Sequence, residues 1–434
     1  MRFKIERDAL AEAVAWVARA LPARPVVPVL SGMLLEAGDG LVLSCFDYDV
    51  SARFEVAAEV VEPGTALVPG RLLAEITRSL AGSQAEFVAD QDSIGLTCGA
   101  AEFTLVRLPV EEYPSLPALP PAAGTVDGAE LAAAVNQVAP SASRDDTLPM
   151  LTGVFAEIQG ETITLVATDR YRLAVRELAW TPTRPGLRAS ALIPARSLAE
   201  AARTMTSGGQ VAIALRDAEE SGAGTGPDAR AADGMIGFEG GGRRLTTRLL
   251  GGEFIKYASR FPAEFGSWGE IAPGQLIEAV RRVSLVAERG SPVRLAFGDD
   301  EVVIEAGSQG QARAVERVPA SFEGDERVIA FNPQYLLDGL NAAAAPTGTG
   351  HGRPAQAQAV DGGESGDSSE TTHAPTEPGR IRLEFTSAVR PAVITWVPGG
   401  DPVPSANGQP AAPADDEAAS FRYLVVPLRM PGSA

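Results

Sequence analysis

Apolar residues recur at helical spacing in three stretches: Leu10, Val14, Trp16, Val17 and Leu21; then Leu131, Val135 and Val138; then Leu276, Val280, Val283 and Val286. Each stretch predicts a helix with one face turned to a core. Around them lie short runs that alternate or stay apolar, at 66–68, 102–105, 191–193 and 383–385, and these predict strands. The order helix, strands, helix, strands repeats along the chain. It predicts an α+β fold with antiparallel sheets.

The pattern also repeats in detail. Pro28-Val-Leu-Ser-Gly-Met-Leu-Leu-Glu36 runs parallel to Pro149-Met-Leu-Thr-Gly-Val-Phe-Ala-Glu157, sharing Pro, Leu, Gly and Glu at the same offsets. Pro69-Gly-Arg-Leu-Leu-Ala-Glu-Ile-Thr-Arg78 matches Pro194-Ala-Arg-Ser-Leu-Ala-Glu-Ala-Ala-Arg203 with six identities in ten positions. A fainter third copy has a strand at 328–331 followed by a helix at 333–340. A period this long means duplicated domains and not solenoid units. The expected domains are 1–125, 126–262 and 263–434.

Three stretches break the pattern. Residues 341–380 hold one large apolar residue, Val360, so they cannot bury enough surface to offset their ordering entropy. They read as a disordered insertion in the third domain. Residues 217–234 read as a mobile loop of the second domain and 399–420 as a loop of the third. Both histidines, His351 and His373, fall in the insertion. That leaves no histidine in the folded body for general-base work or metal ligation.

Composition narrows the class further. The chain has 434 residues, 45% of them apolar, and two cysteines, Cys45 and Cys98, which excludes a wholly disordered chain and a disulfide scaffold. No run approaches the length of a membrane helix, and Glu6, Arg7, Asp8 and Glu12 break any apolar leader, so a cytoplasmic protein without a membrane partner is expected. A net charge of −19 argues against a tight nucleic-acid binder of the usual kind, whose affinity rests on many cationic phosphate contacts. Local positive lining is still compatible with it.

Such lining is legible. Arg71, Glu75 and Arg78 share one face of a predicted helix, Arg196, Glu200 and Arg203 share the same face of its counterpart, and Arg281 and Arg282 sit on the first helix of the third copy. One such face is an ordinary solvated surface; its repetition points equally to a shared basic surface. These arginines would touch phosphates without reading bases. Asp145 with Asp146, and Asp299 with Asp300, read as turn residues, and Gly240-Gly-Gly242 reads as a turn lacking the lysine of a phosphate loop. No catalytic constellation, metal site or cofactor is expected.

Several segments together resemble the bacterial DNA sliding clamp, the beta subunit of DNA polymerase III, over essentially the full length. They are Leu21-Pro-Ala-Arg-Pro25 with Pro28-Val-Leu30, Leu108-Pro with Glu112-Tyr-Pro114, Val166-Ala-Thr-Asp-Arg-Tyr-Arg-Leu-Ala-Val175, Phe331-Asn-Pro-Gln-Tyr-Leu-Leu-Asp-Gly-Leu340 and Val426-Pro-Leu-Arg429. The resemblance implies a head-to-tail homodimeric ring of six similar domains, helices inside and sheets outside. It implies a non-catalytic processivity factor that encircles double-stranded DNA without sequence preference and tethers a polymerase at high effective concentration. The implied channel residues are Arg24, Arg71, Arg78, Arg196, Arg203, Arg281 and Arg282, and the implied dimer contacts are Phe103, Leu105 and Leu285.

By the same resemblance the DNA polymerase catalytic subunit, the clamp loader and other proteins with a clamp-binding motif dock through a short peptide in a groove between the second and third domains. The matching positions are Leu151, Thr168, Arg170, Tyr171, Arg172, Leu173, Asn332, Tyr335, Val389, Leu424, Val426, Pro427 and Leu428. One wall departs from the family pattern: in Phe254-Ile-Lys-Tyr-Ala-Ser-Arg260, Ile255 replaces a proline and Arg260 an apolar residue. The departure motivates a second reading, a clamp paralogue with an altered pocket, tolerant of an inhibitor or serving a specialised polymerase. A third reading, from another class, is a structural three-domain scaffold that never encloses DNA.

Overall fold

The computed structural model describes residues 1–205, 209–215, 234–288, 290–307, 312–345, 379–398 and 420–429. Both histidines, and nearly all of the expected loops at 217–234 and 399–420, lie outside the described residues. Among the described residues there are six α-helices, two in each sequence repeat: α1 (Arg7–Val17) and α2 (Gly70–Ser79), α3 (Gly128–Val138) and α4 (Ala195–Thr204), and α5 (Pro273–Val283) and α6 (Pro333–Ala344). The sheets pair antiparallel.

The chain packs as two compact units. The first holds Met1–Val135, Ser143–Leu165 and Leu178–Phe254; the second holds Asn136–Ala142, Val166–Glu177 and Ile255–Ala434. In the first unit a five-stranded sheet ends on the edge strand Ala101–Val106. A nine-stranded sheet carries strands of the first two sequence repeats without a break, because Val50–Val56 pairs with Arg243–Arg248. That seam is reinforced by side chains. The Arg243 guanidinium lies 4.5 Å from the Phe54 ring centre and pairs with Glu12, while Trp16 meets Phe54 edge-on at 5.7 Å.

The repeated motif has a packing reason. Val29, Leu30, Leu34 and Leu67 form a buried cluster with Leu108, Val110 and Tyr113 against it. A Cβ on Gly32 would stand 2.7 Å from Leu67, and one on its counterpart Gly153 would stand 2.8 Å from Leu250. Both glycines let a strand start flush against its neighbour. Burial pushes the Cys45 thiol and the Tyr113 hydroxyl above their usual ranges, so both stay neutral and inert at physiological pH.

In α2 and α4 the sequence period sets the orientation. Leu73, Ile76 and Leu198 are buried, each contributing about 2 kcal/mol, while Arg71, Arg78, Arg196 and Arg203 are exposed on the opposite face. α6 is capped by Asn332, whose Oδ1 accepts from the amides of Gln334 at 2.9 Å and Tyr335 at 3.3 Å. This helix runs on to Ala344, so the expected insertion does not begin at 341; its other end is trimmed too, since Arg380 already belongs to the strand Arg380–Phe385. Ala342 and Ala343 are buried, and alanine has the helix propensity to carry the extra turn.

The C-terminal strand Phe421–Val425 is internal, paired with Arg172–Ala179 on one side and Ala392–Val397 on the other. Past its end, the Val426 amide donates to Tyr171 O and the Leu428 amide to Ala330 O, both at 2.8 Å. Pro427, with no amide to donate, sits between them.

Candidate nucleic-acid interface and peptide groove

In the first unit, α1 with its extension Ala18–Ala20, α2 and α4 wall a cleft of about 670 Å³. Arg19, Arg71, Arg78, Arg196 and Arg203 line it, with Glu75 and Glu200 among them. Glu200 divides its carboxylate: Arg19 donates to Oε1 at 2.5 Å and Arg203 to Oε2 at 2.7 Å. Arg71 donates to Pro22 O at 2.9 Å. Five guanidiniums outnumber the carboxylates, and all five are solvent-exposed. Such a surface suits a polyanion and offers nothing that reads a base. The sequence reading missed Arg19; its position just beyond the end of α1 was the available signal.

In the second unit, Arg281 and Arg282 stand exposed on α5. Arg281 pairs with Glu278, and Arg282 grips Glu316 with Nε at 3.1 Å and Nη2 at 2.5 Å. Hydrogen bonding between Arg282 and Glu316 lowers the carboxyl pKa and raises that of the guanidinium. Arg24 is exposed but is not part of the cleft lining.

The second unit also assembles most of the expected groove. Asp169 closes a tight turn by accepting the amides of Tyr171 at 3.0 Å and Arg172 at 3.1 Å, which places Arg170 at φ 80°, a conformation few residues other than glycine adopt. Thr168 Oγ1 donates to Arg172 O at 2.6 Å and locks the turn from the other side. Arg172 then points inward, donating to Asp169 Oδ2 at 2.9 Å, to Asp338 and to Pro140 O. Its guanidinium lies 4.6 Å from the Tyr335 ring centre, and Tyr171 stacks near Tyr335 at 6.1 Å. The Tyr423 hydroxyl donates to Tyr335 O at 2.8 Å.

Burial alone would pull the Arg172 guanidinium down, but Tyr423, Asp338 and Asp169 more than offset it, so its charge is permanent. The second unit also holds apolar groups with free surface at the expected groove positions. Tyr171 is 51% and Val389 58% exposed, while Val426, Leu428 and Tyr335 are half-buried. Among the described residues no His, Cys, Asp or Glu cluster could hold a metal ion.

Residues 1–117 match the N-terminal, 125–256 the central and 258–347 the C-terminal domain of the DNA polymerase III beta subunit. The beta sliding clamp of Streptomyces coelicolor is 47% identical over 433 residues, covering 100% of both chains. The chain belongs to the beta sliding clamp family. Its role is that of a processivity factor in DNA replication, a non-catalytic subunit. The clamp homolog GriR of Streptomyces muensis is also 47% identical, across 78% of this chain and 88% of its own. Clamp crystal structures from Bacillus subtilis, and from Pseudomonas aeruginosa bound to griselimycin, each share the fold at TM-score 0.77 and 24% identity, covering 99% of this chain and 100% of theirs. The full-length match to a beta sliding clamp favours the processivity role over the paralogue and scaffold readings.

Leu173 and Leu424 are buried at 6% exposure or less, so within the second unit they offer a floor and not a wall. Leu151, also buried, belongs to the first unit. Ile255 is half-buried, and Arg260 is exposed in the turn Ala258–Arg260. On the edge strand Ala101–Val106, Phe103 is half-buried while Leu105 is 2% exposed and leaves little side chain for a partner to touch. Leu285, following α5, is 83% exposed. No helix among the described residues is long and apolar enough to cross a membrane.

Proposed function

We propose that two copies of this chain close head to tail around duplex DNA, with Arg24, Arg71, Arg78, Arg196, Arg203, Arg281 and Arg282 facing its phosphates. The observation that carries this reading is the cleft of the first unit. There α2 and α4, helices from different copies of the repeat, turn arginines from the same repeat positions toward one space. A ring needs no tight grip, because topology keeps it on the DNA; few sequence-blind contacts and a net charge of −19 for the whole chain fit that mode. Leu285 of one protomer and Phe103 with the free edge of Ala101–Val106 in the partner supply the closure, with Leu105 packing beneath.

The groove built from Thr168, Arg170, Tyr171, Arg172, Asn332, Tyr335, Val389 and 424–428 takes a short peptide with apolar anchors. The polymerase catalytic subunit, the clamp loader and other motif-bearing partners share it. We read the three domains as 1–125, 126–262 and 263–434, and place the protein with the chromosome in the bacterial cytoplasm. The test is retention: after loading, the protein stays on a nicked circle and leaves once the circle is linearised. Equal retention on both forms overturns the ring.

A further inference from the structure

The second helix of each repeat carries an acid at the same place, six residues after Pro69, Pro194 and Asn332: Glu75, Glu200 and Asp338. Asp338 is committed to structure, since its partner Arg172 is 8% exposed and saturated by Asp169, Asp338 and Pro140 O. Glu200 is placed differently. Its two oxygens are each taken by an exposed arginine of the cleft, Arg19 and Arg203. The second unit repeats the device on α5, where Glu278 contacts Arg281 and Arg282, and Glu316 holds Arg282 with two hydrogen bonds.

Four arginines on these surfaces therefore already rest on the protein's own carboxylates. Exposed pairs of this kind are weak, so an arriving phosphate can take an arginine over. Each such contact exchanges one ion pair for another, and a guanidinium neutralised beforehand displaces less condensed counterion than a free one. The net gain per contact is small, which is what a ring that must move along DNA requires.

We propose that Glu200, Glu278 and Glu316 act as built-in competitors for the phosphate backbone, holding Arg19, Arg203, Arg281 and Arg282 in check so that the clamp slides. This rests on the DNA-encircling reading above. The test compares full-length wild type with E200Q/E278Q/E316Q, and with E200Q and E278Q/E316Q separately, since each set lies in one unit. Affinity for a labelled linear duplex is measured by anisotropy between about 50 and 200 mM salt, alongside diffusion on loaded circles by single-molecule tracking. Dimer mass and melting temperature establish that the variants fold.

The triple variant is expected to bind duplex about tenfold more tightly at the lower salt, with a log–log salt slope steeper by up to about 0.9 per arginine released, and to diffuse more slowly. The charge-matched control D39N/D90N/D325N, which neutralises three exposed loop acids, is expected to gain far less. If the triple variant matches wild type, or the control gains as much, while R203A/R282A still weakens binding, the competitor proposal is overturned and the DNA reading stands. If R203A/R282A also leaves duplex binding unchanged, and the wild type is retained equally on nicked and linearised circles, the DNA reading falls and the proposal with it.

Discussion

Arg172 reaches Asp338 across 166 residues of sequence while its guanidinium lies 4.6 Å from the Tyr335 ring centre. The contact ties the turn after the strand Thr162–Thr168 to the middle of α6, and both elements present groove residues. Replacing Arg172 by alanine leaves Asp169 and Asp338 without their counter-charge at a site where the arginine is nearly buried. The expected loss is about 3 kcal/mol of stability, together with weakened peptide binding. Denaturant unfolding and peptide titration of R172A check it; unchanged stability would show that the knot is dispensable.

The seam between Val50–Val56 and Arg243–Arg248 should behave as a structural weld. R243A removes the contact with Phe54 and the pair with Glu12, and is expected to cost about 1–2 kcal/mol without altering peptide affinity. Thermal unfolding reports the first and titration the second.

Acid sensitivity follows from the ion pairs of the second unit. Hydrogen bonding from Arg313, then Arg294, holds Glu305 below the usual carboxylate range. A folded-state pKa depressed in this way gives stability that is present above the unfolded value and is lost as pH falls through the folded one. Stability of the wild type is therefore expected to drop as the solution is acidified below the ordinary carboxyl range, and E305Q to flatten that drop.

Glu384 carries the opposite sign. Burial raises its pKa, only partly countered by Arg382, so its ionisation weakens the fold as pH rises from 4.5 through the raised folded value. E384Q is expected to be the more stable protein at neutral pH and to lose that advantage in acid, which parallel melting curves will reveal.

The altered groove wall gives a gain-of-affinity test. I255P/R260V restores a proline and an apolar wall residue, and a clamp-binding peptide is expected to bind about fivefold to tenfold more tightly by calorimetry. Equal affinity would place both residues outside the binding surface.

Leu285 offers the simplest test of assembly. A charge on this exposed apolar side chain, L285D, is expected to shift the protein toward monomer in sedimentation while leaving its melting temperature nearly unchanged.

Much of this architecture was legible along the chain, for reasons rooted in periodicity. A helix that must bury Leu73 and Ile76 has to turn Arg71 and Arg78 away, and the duplicated block at 194–203 has to do the same, so repeat order and arginine faces both follow from spacing. Turn chemistry was also readable: the Gly240-Gly-Gly242 segment joins two strands, with Gly241 and Gly242 at φ 58° and 74°. The start of the insertion was misjudged because an alanine run carries no apolar period, yet it fits against a core as helix.

Local periodicity thus determined which face each helix buries, where the repeats begin, and that the basic positions recur. Pairings between residues far apart in sequence belong to the tertiary structure alone: Arg19 with Glu200, Arg172 with Asp338, and the seam that joins two repeats into one sheet. The reason is physical. A side chain's orientation follows from its neighbours one turn away, whereas its partner is chosen by whichever distant charge the packed backbones bring within hydrogen-bond reach.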